Sequence, residues 1–589
     1  MFSAPPHLRV LPPKLRKLEI FPRSWFRLYQ MRDFGVHFCF SRGCRDDLRI
    51  RSNMVLSPMR VPTRIFAVLI VAFGIVPCSP VAAQPSYDIL IENGRVLDGS
   101  GSAWVRADVA VADGDIAAVG DLTAATADTV LNAEGLYVAP GFIDVHSHAA
   151  EGLTTESLSA AKPLLAQGIT TIVVNPDGGG AVDLAAQQDS LLEHGLGVNV
   201  GQLVPHGAIR EEVMGTSDRD PSADELSEMK ALVREGMEAG GLGLSSGPFY
   251  APGSYAETAE YIATAGVAAE YGGVYQSHIR DESNYTVGLL AAVEEVIQIA
   301  READLPGIVT HVKALGPPVW GFSSAVEQRV ERARAEGVEV FADQYPYTAS
   351  ATTLTAALVP RWAQSGGRDS LLHRLDQSNL RARIRSDMAE NLARRGGAGR
   401  IQFRRFPPDS SIEGQTLAEV AADRRDEPLG TALHLIEQDT PGIVSYNMLD
   451  EDVERFMRQP WTMTCSDGGL VARGDGVPHP RNYGAFSRKL GRYARDRGVV
   501  GLGFAVRSMT QLSASVMGLP DRGRLQPGAA ADIVVFDLDK VHDPATFRAP
   551  HQLSGGMVHV VVNGRLAVHE GEFTGTRAGA VHSRGTVAR

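Results

Sequence analysis

Cysteine is scarce: Cys39, Cys44, Cys78 and Cys465 are the four in a chain of 589 residues. So few, so scattered, exclude a disulfide framework and a cysteine-rich structural zinc site. Hydrophobic excess is missing too. With 44% hydrophobic and 21% charged residues and a mean hydropathy of -0.08, the chain is neither disordered nor a multipass membrane protein. Positive charge is short over most of its length. Residues 1–83 hold 13 Lys and Arg against 4 Asp and Glu, net +9, which leaves 44 against 65, net -21, for residues 84–589. So acidic a body argues against nucleic acid and leaves a small molecule as the expected partner. Short internal repeats are absent beyond an alternation of strands and helices.

From Met59 the chain reads MRVPTRIFAVLIVAFGIVPCSPVAAQ. Two arginines, about 11 apolar residues and the small side chains Val81-Ala82-Ala83 make the three zones of a secretory signal, and the apolar run is short of the ~20 residues of a membrane anchor. Pro77 before Cys78 argues against a lipid-modified cysteine. Residues 59–83 are therefore expected to be a cleaved export signal, with Met59 or Met54 as the true initiator and residues 1–58 as a miscalled extension. The mature protein is expected in the periplasm or outside the cell, without stable membrane insertion, keeping Cys465 as its one thiol.

Residues 84–140 read as short strands, Tyr87 to Ile91, Ala107 to Val111 and Ile116 to Val119, with Asn93-Gly94 and Asp113-Gly114 as hairpin signals. From residue 141 apolar runs alternate with amphipathic helices: Ile169 to Val174, Val198 to Val204, Gly241 to Ser245, Gly273 to His278, Gly307 to His311, Val338 to Ala342 and Met463 to Ser466. That alternation predicts an α/β protein with a (β/α)8 TIM-like barrel over 141–525. Leu289, Leu290, Val293, Val296, Ile297 and Ala300 form one helical stripe, and Ser222 with Glu225 forms a capping box. The Arg-rich, helix-biased stretch 350–440 is too long for a loop and is expected as an insertion over the barrel. Strands return at Ala531 to Phe536 and Val558 to Asn563, so segments 84–140 and 526–589 are expected to build one small β-sandwich domain.

Chemistry-bearing residues fall at the ends of the barrel strands. His146 and His148 share one face in Gly141-Phe142-Ile143-Asp144-Val145-His146-Ser147-His148. Asp177 follows the strand Ile172 to Val174, His278 and His311 each close a βα unit, and Asp467 stands in Cys465-Ser466-Asp467-Gly468-Gly469. Each alone reads equally well as a packed histidine or a turn aspartate. Together, at the C-terminal ends where barrels carry chemistry, they suit one or two divalent ions with N and O ligands, zinc first, manganese or iron also.

These motifs resemble the metal-dependent amidohydrolase superfamily, and LGLSSGPFYAPG, YQSHIRDE, Tyr345-Pro346-Tyr347 and HPRNYG resemble its D-aminoacylase or N-acyl-D-amino-acid deacylase branch. The resemblance implies His146 and His148 as ligands of the more buried metal, His278 and His311 of the second, and Asp467 as acid/base and ligand. Asp177 takes the place where the deacylases carry a cysteine ligand. The resemblance further implies that Lys313, Arg481 and Tyr345 meet the substrate carboxylate and that Tyr250 lines the acyl side. The implied activity is hydrolysis of N-acyl-D-amino acids to a carboxylate and a D-amino acid. A D-residue dipeptidase, a cyclic amidase or lactamase, and a binding relative that has lost its metal are the alternatives.

Overall fold

The computed structural model describes residues 86–584. The expected export signal, the extension before it and Cys39, Cys44 and Cys78 lie outside them. Near the N-terminus, alternation and Gly/Asp turns give five strands: β1 Ser86–Val96, β2 Val105–Ala112, β3 Asp115–Gly120, β4 Thr126–Asn132 and β5 Tyr137–Pro140. Asp113-Gly114 turns β2 into β3. Asn93-Gly94, expected as a hairpin, is instead a bulge inside β1, where the register shifts between Ile91 and Gly94. Packing explains it: a Cβ on Gly94 would stand 2.5 Å from the Val138 Cγ2, so the glycine lets β5 come close rather than reversing the chain.

The barrel strands are β6 Phe142–Asp144, β7 Ile169–Val174, β8 Asn199–Gln202 with β9 Val204–Pro205, β10 Gly243–Ser246, β11 Val274–Ser277, β12 Gly307–Val309, β13 Val340–Gln344 and, after the insertion and its strands β14 Ser350–Thr353, β15 Ile401–Arg405 and β16 Gly442–Ser445, β17 Thr462–Thr464. All neighbours in the two barrel arcs, β6 to β8 and β9 to β13 with β17, pair in parallel. Helices cover them, as in a (β/α) barrel. The predicted stripe forms the helix Leu289–Ala303, which buries Val293, Val296, Ile297 and Ala300. The capping box at Ser222 and Glu225 starts the helix Ala223–Glu238, with both reciprocal bonds in place.

The insertion was expected to be helix-biased, and it also holds a three-stranded antiparallel sheet in the order β14-β16-β15. Local helix propensity did not show these strands because their partners lie far apart in sequence. After it come β18 Ile533–Phe536, β19 Met557–Val562, β20 Arg565–His569, β21 Glu572–Phe573 and β22 Val581–His582. β18 pairs with β5, so strands from both ends join in one nine-stranded sheet. Ile89, Val109, Ile116, Val138, Ile533 and Val561 share its core. β22 leaves that sheet and pairs with β8 at Val200 and Gly201. No helix among the described residues is long and apolar enough to cross a membrane.

Between β17 and β6 the barrel closes by a seam of a different kind. The Ser466 N–H donates to Asp144 Oδ1 (2.8 Å) and its hydroxyl to Asp144 Oδ2. The Asp467 N–H donates to the His146 carbonyl and the His148 N–H to the Gly468 carbonyl, both at 2.9 Å. Asp144 is fully buried, and burial, against the hydrogen bonds from Ser466, pushes its carboxyl up to about 7. Its Oδ1 also accepts the His146 N–H at 3.3 Å. Asp144→Ala strands these buried donors at roughly 1–3 kcal/mol each, so its urea unfolding midpoint should fall well below that of Asp144→Asn, which keeps an acceptor.

Candidate metal centre

Asp177 follows β7 through the turn Asn175-Pro176-Asp177-Gly178, and the motif around β10 clamps that turn. Ser245 Oγ donates to the Asn175 carbonyl (2.6 Å) and accepts from the Gly178 N–H (3.2 Å). Gly247 leaves room for the Asp177 carbonyl, which lies 2.2 Å from where a Cβ would be. Asp177, His311 and Asp467 have positive φ values of 58°, 33° and 49°. Such backbone is unfavourable for residues with side chains and persists only where neighbours hold it. For His311 the hold is its N–H on Asp343 Oδ1 at 2.6 Å; for Asp467 it is the seam.

The result is a shared carboxylate. Asp177 Oδ2 lies 3.5 Å from both His146 Nε2 and His148 Nε2, while Oδ1 lies 3.7 Å from His278 Nδ1 and 3.5 Å from His311 Nε2. Asp467 Oδ1 completes the first group, 3.7 Å from His146 and 3.2 Å from His148. Two sets of ligand atoms form, His146 with His148, Asp177 and Asp467, and Asp177 with His278 and His311, each within 4.8 Å. All six predicted ligands are thus together.

The donor set fits a cation. His146 and His278 are buried, and neither ring nitrogen of either has a hydrogen-bond partner; Asp177 Oδ1 has none. Buried polar atoms are otherwise almost always partnered. Burial opposes charge on Asp177, but the surrounding rings of His146, His148 and His278 hold its carboxyl well below the usual range. For Asp467 burial is likewise outweighed, by Arg481 and His311, so it stays an anion. Four imidazoles and two carboxylates suit zinc or a similar divalent ion.

The remaining predicted residues line the same cavity of about 1060 Å³, with His146 just beneath it. Tyr250 stands over His278, ring centroids 4.7 Å apart, and shares a hydrogen bond with Thr352 Oγ1 (3.3 Å). Arg481 grips Asp467, Nη1 at 2.7 Å from Oδ2 and Nη2 donating to Oδ1 at 2.9 Å, and stacks on Tyr345 at 4.7 Å. Lys313, expected to meet substrate, is buried in an ion pair with Glu282, and its Nζ lies 2.6 Å from His311 Nδ1.

Glu282 is the group that sequence reasoning quoted and did not use. Its Oε1 is 3.2 Å from His311 Nδ1 and 3.7 Å from His278 Nε2. Its carboxylate therefore sits beside both rings of the second ligand group, on the side away from Asp177 for His311, and helps to hold their orientation. The signal was its place four residues after His278, in the loop that follows β11. His479 was also quoted without a role: it accepts the Arg481 N–H on Nδ1 (3.0 Å) and faces the Ala349 carbonyl with Nε2 (3.0 Å).

Removing Asp177 deprives both groups of a ligand at once. Asp177→Ala should therefore lower zinc content by more than His148→Ala does, measured by elemental analysis of protein loaded with zinc and desalted. Equal losses would show that Asp177 does not bridge.

Comparison with known proteins agrees with this geometry. Over 507 residues the chain is 37% identical to the N-acyl-D-glutamate deacylase of Alcaligenes xylosoxydans xylosoxydans, covering 82% of this chain and 93% of that one. It is 35% identical over 526 residues to the D-aminoacylase of the same organism, covering 85% and 98%. The crystal structure of N-acyl-D-glutamate deacylase from Bordetella bronchiseptica, complexed with zinc and a phosphonate inhibitor that mimics the tetrahedral intermediate, superposes with a TM-score of 0.71 at 34% identity, covering 84% and 99%. The sequence model of the amidohydrolase family matches residues 129–568, from the last strands of the outer sheet through the whole barrel and back, and the chain belongs to that family.

Proposed function

We propose that this protein is a zinc-dependent amidohydrolase that cleaves the linear amide of N-acyl-D-amino acids, releasing a carboxylate and a free D-amino acid. The observation that carries the reading is the convergence of two ligand groups on one shared carboxylate, under a cavity whose wall holds Arg481 and Tyr345. Relatives named as N-acyl-D-glutamate deacylase and D-aminoacylase, matched over most of both chains, support it. His146, His148, Asp177, His278, His311 and Asp467 would hold zinc or another divalent ion, which would supply Lewis acidity toward the acyl carbonyl and water.

The chain supplies the rest. Asp467, kept anionic by Arg481, takes the proton of the attacking water and passes it to the amide nitrogen, a poor leaving group until protonated. Arg481 commits both Nη atoms to Asp467, but its Nε and the Tyr345 hydroxyl are buried without partners. Those two donors, one N–H and one O–H, are what the site offers an α-carboxylate. Lys313, matched by Glu282, acts on the histidines' side of the site and reaches substrate as a second contact. Tyr250 lines the acyl side.

Zinc-loaded protein should release amine from N-acetyl-D-amino acids and not from their L forms, and chelation should abolish release. No cleavage of either series by protein with bound zinc would overturn the substrate assignment and turn attention to D-residue dipeptides and lactams. Asp467→Asn should lower kcat by about 10³-fold, in the range expected for a lost acid/base group. Arg481→Ala should raise KM more than it lowers kcat.

We also propose that the protein is exported, to the periplasm or beyond, by the signal of residues 59–83. Mass spectrometry of the exported form should then find Gln84 as the first residue; a chain retained with its N-terminus intact would refute this.

A further inference from the structure

Between the insertion and the loops that follow β10 and β11 lies a second cavity, of about 440 Å³. That is the size of a small-molecule site, for which roughly 300–1,000 Å³ is usual. It adjoins the catalytic cavity at a single residue, Phe249, which lines both. Its walls are largely aromatic: Phe249 and Tyr285 come from the barrel loops and Trp362 from the insertion. The Phe249 and Tyr285 rings meet edge to face, centroids 5.6 Å apart.

Most charges on this wall are matched, Arg280 by Glu295 at 2.7 Å and Arg394 by Glu390 at 3.2 Å. Two are not. Arg361 and Asp387 line the same cavity, and neither forms an ion pair among the described residues. Arg361, half-buried, holds its guanidinium 4.1 Å over the Phe249 ring and donates from Nη1 to the Ala356 carbonyl (3.0 Å). Asp387, on the helix Ser378–Arg394, is half-buried too and accepts the Trp362 indole N–H on Oδ2 (2.9 Å). On the same wall the Tyr285 hydroxyl and Ser254 Oγ are buried without a hydrogen-bond partner. Opposite charges that share a cavity and do not meet leave room for a molecule that carries both.

An α-amino acid is such a molecule: its carboxylate suits Arg361, its ammonium suits Asp387, and its side chain suits the rings. We propose that the second cavity binds a free amino acid in this way and that its occupancy alters turnover through Phe249. On the catalytic side that ring packs 5.2 Å from both Tyr250 and His278. A carboxylate that draws on the Arg361 guanidinium changes what holds Phe249, and with it the acyl side of the catalytic cavity. Taking the occupant to be the released D-amino acid rests on the deacylase reading; the match of charges does not.

Calorimetric titrations on zinc-loaded Arg481→Ala protein, which lacks the carboxylate grip of the catalytic cavity, test the site. D-Leucine should bind. The same molecule without its ammonium, 4-methylpentanoate, and without its carboxylate, isoamylamine, should each bind at least about tenfold more weakly. Adding Arg361→Met or Asp387→Asn should weaken D-leucine by about tenfold as well. Asparagine still offers the Trp362 indole an acceptor, so Asp387→Asn reads the charge rather than a disturbed fold. No binding of D-leucine, equal binding of 4-methylpentanoate, or unchanged affinity in both variants overturns the site. With Arg481 intact, D-leucine should lower kcat for N-acetyl-D-leucine as well as raise its apparent KM, whereas in Asp387→Asn it should raise apparent KM alone. Purely competitive inhibition of the wild type overturns the link through Phe249. If no N-acyl-D-amino acid is cleaved, the deacylase reading falls by itself and the titrations still decide the site.

Discussion

Asp177 stands between two pairs of imidazoles at the floor of the cavity, and the site depends on what that one carboxylate does. Without it, three buried rings and the exposed ring of His148 would face one another with little reason to converge. With it, both pairs turn toward a common point, one on each oxygen. Its backbone is held in an unfavourable conformation by Ser245 and Gly247 from the neighbouring strand end. The strain is local and the support comes from hydrogen bonds of the barrel rim. A thiolate in the same place would be softer and larger; a carboxylate is harder and has two distinct oxygens, each able to serve its own ion.

Much of this was legible in the residues. Apolar runs ending in His, Asp or His-x-His specify strands whose last side chains face a common centre, because a barrel gathers its strand ends. Glycine-marked turns, the capping box at Ser222 and the stripe of Leu289 to Ala300 were equally readable, since each depends on neighbours within a few residues. Long-range pairing was not. The sheet β14-β16-β15, the parallel partnership of β1 with β4 and the return of β22 to β8 join segments whose local composition says nothing of their partners. Asn93-Gly94 shows the same limit: the dipeptide permits a turn, but the approach of Val138 decides for a bulge.

Charge matching was also invisible in the sequence. Lys313 and Arg481 look alike as isolated cations, yet the fold gives each a private carboxylate, Glu282 and Asp467. Arg395 looks like a surface residue of an Arg-rich segment and is buried, with its Nη1 on Ser445 Oγ. Which cations remain available is a property of the assembled wall, set by the insertion as much as by the barrel. The barrel carries the bond-breaking groups. The insertion lines the cavity above them.

The pairing of β22 with β8 ties residues Val581 and His582 to Val200 and Gly201, while β18 ties the C-terminal region to β5. The first barrel strands and the opening strands of the outer sheet therefore have partners that leave the ribosome last. Until then their edges stay open, and nothing short of the finished polypeptide can complete either sheet. One edge of β5 and one edge of β8 are thus covered by strands distant in sequence, which ties the outer sheet and the barrel to the same C-terminal region.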